Sequence, residues 1–224
     1  MMDVQQGRII GLFGMKGSGK TTLTRYIIRL YNELLGIRAV IYDTDYEDLE
    51  MLENALGKDK VRIGEMNNYG MNTYFIPDIK KSDNLAYLNE SLKKIRAKHT
   101  NILLVVRDLD VFFDANTSMN KSAKELKDLS SRGRHTNTAF LYESKQPKYI
   151  PKKLISNTDL FFISQFAERD DIRAFKSITR STELISMSKT YFIMIDRLTS
   201  ERQVIRYDGQ GLKKIMVLPQ LTDI

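Results

Sequence analysis

Residues 8–22 of this 224-residue chain read RIIGLFGMKGSGKTT, an apolar run that enters a glycine-rich turn and leaves it in a helical pattern. A short apolar run bounded by a turn reads as a buried strand. Beyond the turn, Leu23, Ile27, Leu30 and Leu34 recur at three- to four-residue spacing, which predicts an amphipathic helix stopping near Gly36. A strand that turns this tightly into a helix commits the chain to an α/β architecture, because the helix has to pack back onto a sheet with that strand inside it. Gly14-x-x-x-x-Gly19-Lys20-Thr21 also matches GxxxxGK[ST]. Glycine lets such a turn curl until successive amide protons point inward at an anion, and the following helix presents its positive end to the same place. The candidate phosphate-binding residues are Gly14, Met15, Lys16, Gly17, Ser18, Gly19, Lys20, Thr21 and Thr22. Lys20 is expected to reach the β- and γ-phosphates of a nucleotide and Thr21 to ligate Mg²⁺ through its hydroxyl; Lys16 reads as solvent-exposed.

The rest of the chain continues the alternation. Strands are expected at 37–42, 101–106, 138–142 and 160–164, and helices at 49–56, 85–95, 119–131 and 168–178, with a short helical turn at 151–155. Segment 58–82, with β-like pieces at 61–63 and 73–76, reads as an insertion. Apolar strands without polar alternation argue for a parallel sheet covered on both faces. Segment 190–208, with strands at 191–196 and 203–207, reads as a β-hairpin appended to that sheet, and 209–224 as a tail whose apolar cluster Ile215–Leu218 docks on the domain or a neighbour. The expectation is therefore one α/β domain over 1–224: a parallel sheet with helices on both faces, a phosphate loop at its first strand, and a C-terminal β-hairpin.

Composition narrows the chemistry. There is no cysteine and there are two histidines, His99 and His135, so thiolate zinc sites are excluded and any metal is oxygen-bound. The longest apolar runs are far short of the roughly 20 residues that span a bilayer, and Met1–Gly7 lacks the basic and apolar start of a secretory signal, so a cytoplasmic location is expected. The formal net charge is +7, and residues 121–153 carry nine basic residues against three acids. A concentrated positive surface attracts polyanions, which makes nucleic acid a candidate partner.

A nucleotide hydrolase of this kind places one carboxylate at the end of a neighbouring strand for Mg²⁺ and a second to activate water. Here the run Ile102–Val106 leads into Arg107, Asp108, Leu109 and Asp110. Arg107 occupies the magnesium position and Asp108 the position of the catalytic base. Either Asp108 takes the metal role beside Thr21, with Asp110 or Asp45 helping with water, or the site binds nucleotide and hydrolyses it slowly.

The block Arg132-Gly-Arg134-His135, then a strand, then Gln146-Pro147, Ile150-Pro151 and Ser156-Asn157 resembles the FtsK/HerA superfamily of DNA-translocating ATPases, and within it the genome-packaging ATPases of membrane-containing icosahedral viruses. The resemblance spans residues 8–207. It implies a sheet of the phosphate-loop NTPase type (RecA/ASCE-like), ATP and Mg²⁺ as cofactors, and a homo-oligomeric ring, hexameric or pentameric, acting on double-stranded DNA without sequence specificity. It also implies a capsid or portal-vertex docking partner, an arginine finger reaching across the subunit boundary, and a polar sensor at the end of a core strand. By position, Arg132 or Arg134 is the finger and Lys145 or Gln146 the sensor, while His135 reads as a packing residue. The implied function is an ATP-driven DNA translocase that packages a viral genome. The alternatives are an ATP-binding switch or assembly factor disabled by Arg107, and a small-molecule kinase. The kinase reading is disfavoured because the arginines cluster with basic residues suited to a polyanion rather than on an acceptor lid.

Overall fold

The computed structural model describes residues 5–43, 53–54, 61–63, 72–75, 85–113, 123–132, 137–166, 168–179, 190–208 and 211–218. The expected helix 49–56, apart from residues 53–54, the first residues of 119–131, the end of the tail, Asp45, Arg134 and His135 lie outside them.

The strands are β1 (Ile9–Phe13), β2 (Arg38–Tyr42), β3 (Val61–Ile63), β4 (Asn72–Phe75), β5 (Ile102–Val106), β6 (Ala139–Ser144), β7 (Leu160–Ile163), β8 (Tyr191–Asp196), β9 (Glu201–Tyr207) and β10 (Leu212–Val217). They form one ten-stranded sheet in the order β10-β9-β8-β7-β1-β6-β5-β2-β4-β3. The run from β7 to β3 is parallel, and β8, β9 and β10 add antiparallel strands at the opposite edge. The helices are α1 (Lys20–Leu35), α2 (Leu85–Lys98), α3 (Lys124–Arg132), α4 (Lys152–Asn157) and α5 (Arg169–Thr179).

β1, β5, β6 and β7 are buried at every position, as a sheet covered on both faces requires. Alternate residues feed two cores. Ile10 and Leu12 face α1, where Leu23, Ile27, Ile28 and Tyr31 close one layer. Ile9 and Phe13 face the other, closed by Leu92 of α2, Leu126 and Leu129 of α3, Leu154 of α4 and Phe175 of α5. Along α1 the buried stripe advances by fours, Leu23 to Ile27 to Tyr31, and leaves Leu34 57% exposed, so the last member of the expected spacing falls off the packed face. Gly36 ends this helix in the left-handed conformation, φ 63°, donating its N–H to Asn32.

Two expectations are refined. The β-like pieces of 58–82 lie where expected, but they extend the main sheet as parallel strands at its edge. The C-terminal hairpin gains a third strand, β10, from the segment read as a tail: Leu218 is buried, whereas Ile215, Met216 and Val217 are exposed along the edge. A buried ion pair between Arg8, just before β1, and Asp196, at the end of β8, at 2.5 Å ties the antiparallel strands to the centre. Among the described residues no helix is long and apolar enough to cross a membrane.

Candidate nucleotide-binding site

In open α/β sheets the ligand edge is the one where parallel strands end, and here β1, β2, β5 and β6 finish side by side. The end of β1 is pinned on both sides, Gly14 donating its N–H to the Ser144 carbonyl and Ser164 donating to the Phe13 carbonyl. The chain then curls through residues 14–19. Gly14 sits at φ 154°, and a Cβ there would meet Ser18 Oγ at 2.8 Å and Ser164 Cβ at 2.9 Å. Gly19 precedes α1 at φ 88°, a left-handed conformation that turns the chain directly into the helix. The amides of Lys20, Thr21 and Thr22 open α1, where a helix has no intrahelical partner to give its N–H groups. These are the N–H groups that the motif would offer to an anion, whereas Gly14, Met15 and Ser18 give theirs to the Ser144, Gln165 and Met15 carbonyls.

Lys20 is 6% exposed and folds over the loop, its ammonium donating to the Gly14 carbonyl at 2.6 Å and the Met15 carbonyl at 3.1 Å. Burial lowers its pKa, an effect opposed chiefly by the charge of Glu143. A buried ammonium held by neutral carbonyls is a cation waiting for a stronger acceptor, and a phosphate oxygen is one. Lys16 is exposed, as expected.

The second half of the site departs from the expected pairing of Thr21 with Asp108. Arg107 follows β5, and its N–H donates to the Tyr42 carbonyl, extending the β2–β5 ladder by one residue. That places its side chain beside Asp43 at the end of β2. Its guanidinium donates to Asp43 Oδ2 at 2.5 Å and to Thr21 Oγ1 at 2.9 Å, with Nε 3.6 Å from Glu143 Oε1. Asp43 and Glu143 are each 1% exposed. Glu143 also accepts a hydrogen bond from Thr24 Oγ1 on α1 at 2.6 Å. Burial raises the Glu143 pKa, and Arg107 is the main influence holding it down.

Asp108 is committed elsewhere. It is held in the left-handed region at φ 47°, which Asp tolerates better than most side-chain-bearing residues. Its carboxylate accepts from the Lys145 ammonium at 2.8 Å. Asp110, in the 3-10 turn Leu109–Phe112, accepts the backbone N–H of Lys145 at 2.9 Å and so brackets the ends of β5 and β6. The two residues considered for base and sensor, Asp108 and Lys145, are thus an ion pair. Gln146 is half-buried and opens the 3-10 turn Pro147–Tyr149, where its carbonyl accepts from Tyr149.

Arg132 ends α3, and its side chain lies outside the described residues. Its neighbours Ser130 and Ser131 line a polar cavity of about 400 Å³ with Ile9, Thr158 and Asp159, residues at the starting ends of β1 and β7. Arg132 therefore stands at the edge of the sheet opposite the phosphate loop.

Asp43 and Glu143 are what sequence reading missed. Each is an acid closing a buried apolar strand at the ligand edge, and that is the signal that finds them. Magnesium prefers octahedral oxygen ligands, with one or two carboxylates and phosphate oxygens. Thr21, Asp43 and Glu143 have the right chemistry, but Arg107 already sits against all three. Among the described residues no group of three acids or histidines converges on a metal position. As arranged, the residues do not fit Mg²⁺: a guanidinium stands in its place.

No protein-family model matches the chain. Among curated proteins, the uncharacterized ABC transporter ATP-binding protein YdbJ of Bacillus subtilis (strain 168) is 49% identical over 49 residues, which are 20% of this chain and 16% of that relative. Solved structures align along most of the chain. The genome packaging NTPase B204 from Sulfolobus turreted icosahedral virus 2, in complex with AMPPCP, aligns with a TM-score of 0.69 at 13% identity, covering 95% of this chain and 99% of B204. VirB4 of Thermoanaerobacter pseudethanolicus gives 0.60 at 9% identity over 94% of this chain and 89% of its own. The pCW3 conjugation coupling protein TcpA with ATPgS gives 0.57 at 17% identity over 96% of this chain and 61% of its own. The chain shares the fold of these solved structures, a phosphate-loop NTPase fold.

Proposed function

We propose that the chain binds ATP in the loop Gly14–Thr22 and, as one copy in a homo-oligomeric ring, hydrolyses it to move double-stranded DNA, as in the packaging of a viral genome. The observation that carries the ATP-binding part is the buried Lys20 ammonium folded over the loop at the start of α1, at the ligand edge of the sheet. The packaging part is supported by the match to B204, whose alignment covers nearly all of both chains.

Two further observations favour a motor. Of the basic residues in 121–153, Lys145 and Lys148 are taken up by Asp108 and Glu168, whereas Lys124 and Lys127 on α3 and Lys152 and Lys153 on α4 are exposed on neighbouring helices. Such a patch suits phosphate contacts without base reading. We read Arg132 or Arg134 as a finger acting on a neighbouring copy's nucleotide; this reading is supported by the end of α3, where Ser130 and Ser131 lie across the sheet from their own chain's loop. The proposed setting is the cytoplasm or the virion, with a capsid or portal-vertex protein as docking partner.

A second reading, an ATP-binding switch or assembly factor, is favoured by Arg107 standing where the implied Mg²⁺ belongs. Hydrolysis assays with and without double-stranded DNA, on wild type and Arg107→Asp, separate the two. DNA-stimulated turnover by a wild-type ring supports the motor. Turnover that emerges only in Arg107→Asp supports the switch, and a monomer that ignores DNA at low salt refutes the motor.

A further inference from the structure

We propose that Arg107 is a built-in substitute for the divalent cation of this site: its guanidinium occupies the seat formed by Thr21, Asp43 and Glu143, so nucleotide binds without metal and Mg²⁺ is kept out. The inference rests on the reading of Gly14–Thr22 as a nucleotide site.

The position is set by the fold. Arg107 extends β5 by one ladder bond to Tyr42, and β2 and β6 flank β5, so the side chain emerges between Asp43 and Glu143 and opposite Thr21. Its contacts at 2.5 Å to Asp43 and 2.9 Å to Thr21, with Glu143 3.6 Å away, are all made by side chains from different elements. This is a built seat: the Arg107 side chain is 12% exposed, and those of Asp43 and Glu143 are 0% and 1%.

Charge explains why one cation excludes the other. Lys20, Arg107 and Lys145 balance Asp43, Asp108 and Glu143 within the pocket, with Asp110 at its margin. Adding Mg²⁺ to a seat that already holds a guanidinium brings two like charges within a few ångströms in a poorly solvated place, where repulsion is weakly screened. It would also have to take the Thr21 oxygen from a donor already hydrogen-bonded to it. A guanidinium, in contrast, carries a planar fork of N–H donors matched to carboxylate and phosphate oxygens, and it stays charged at every physiological pH. Held against Thr21 in the first turn of α1, it stands beside the loop Gly14–Thr22. With Arg107 gone, the same oxygens of Thr21, Asp43 and Glu143 become an acidic seat of the hard-donor kind that attracts Mg²⁺.

The test is calorimetric titration of ATP into the full-length protein, once in EDTA and once in excess Mg²⁺. Wild type is expected to bind with dissociation constants that differ by less than about fivefold between the buffers, and a weakening in EDTA of about fivefold or more overturns the inference. Arg107→Gln is expected to bind at least about tenfold more weakly in EDTA than in Mg²⁺, and a variant as indifferent to metal as wild type also overturns it. A second readout needs no nucleotide: Mg²⁺ alone should raise the melting temperature of Arg107→Gln and leave wild type unchanged, and a Mg²⁺-induced shift in wild type counts against the seat being taken. Absence of ATP uptake by wild type in both buffers overturns the nucleotide reading beneath it, an outcome distinct from binding that depends on metal. The wild-type arms stand even where the variant folds poorly.

Discussion

Replacing Arg107 with Met tests the cation seat through stability. Methionine keeps much of the side chain's bulk, so the change removes the charge and leaves Asp43 and Glu143 as carboxylates with side-chain exposures of 0% and 1%. Breaking a buried ion pair from one side costs about 3–5 kcal/mol, because the remaining charge is stranded. In a chain of this size each kcal/mol lowers the melting temperature by about 2–4 °C, which gives a fall of about 6–20 °C. The deficit should also depend on pH. Burial raises the Glu143 pKa, and Arg107 is the main influence holding it down, so the variant's pKa climbs further above the unfolded value of about 4.3. An acid whose folded pKa is raised contributes stability that is present below the unfolded value and lost as pH rises through the folded one. The deficit therefore widens from about pH 5 to about pH 8. Urea unfolding followed by circular dichroism at both values measures it. Adding Glu143→Gln to Arg107→Met should recover about 1 kcal/mol or more at the higher pH by removing one stranded charge. An Arg107→Met protein within about 1 kcal/mol of wild type at both pH values would refute the reasoning.

Three other outcomes follow from the same geometry. Because burial lowers the Lys20 pKa, ATP affinity should weaken as pH rises before the ordinary lysine range near 10.5 is reached; affinity unchanged up to that range contradicts a charged Lys20 as the phosphate partner. Gly14→Ala places a Cβ 2.8 Å from Ser18 Oγ and 2.9 Å from Ser164 Cβ at φ 154°, so it should cost at least about 1–3 kcal/mol in urea unfolding and reduce nucleotide uptake. Replacing Lys124, Lys127, Lys152 and Lys153 with Gln should lower the log–log salt slope of DNA binding by up to about 3.6, at about 0.9 per phosphate contact, and an unchanged slope would move the DNA path elsewhere.

What the sequence made legible and what it hid divides along contact range. The loop Gly14–Thr22 and the strand and helix flanking it are local, so spacing alone exposed them. Arg107 stood out for the same reason, as a basic residue where an acid was expected. Its partners did not. Asp43 and Glu143 meet it only because β5 lies between β2 and β6, an order that no local pattern encodes. Glu143 was harder still, because the strand expected at 138–142 stops one residue short of it, whereas β6 runs through Ser144 with every position buried. β10 escaped for the opposite reason. Its residues are almost all exposed at the sheet edge, so no alternation marks a strand, and backbone pairing to β9 defines it. The Asp108–Lys145 pair joins two residues that sequence reading had named separately, and only the adjacent ends of β5 and β6 bring them together.

The central claim is that one nucleoside triphosphate binds each chain through the loop Gly14–Thr22 and Lys20. Calorimetry of ATP against wild type and Lys20→Met tests it most directly. Saturable uptake at one ATP per chain in wild type, weakened at least about tenfold in Lys20→Met, is the predicted result. Equal uptake by both proteins, or none by wild type, would contradict it.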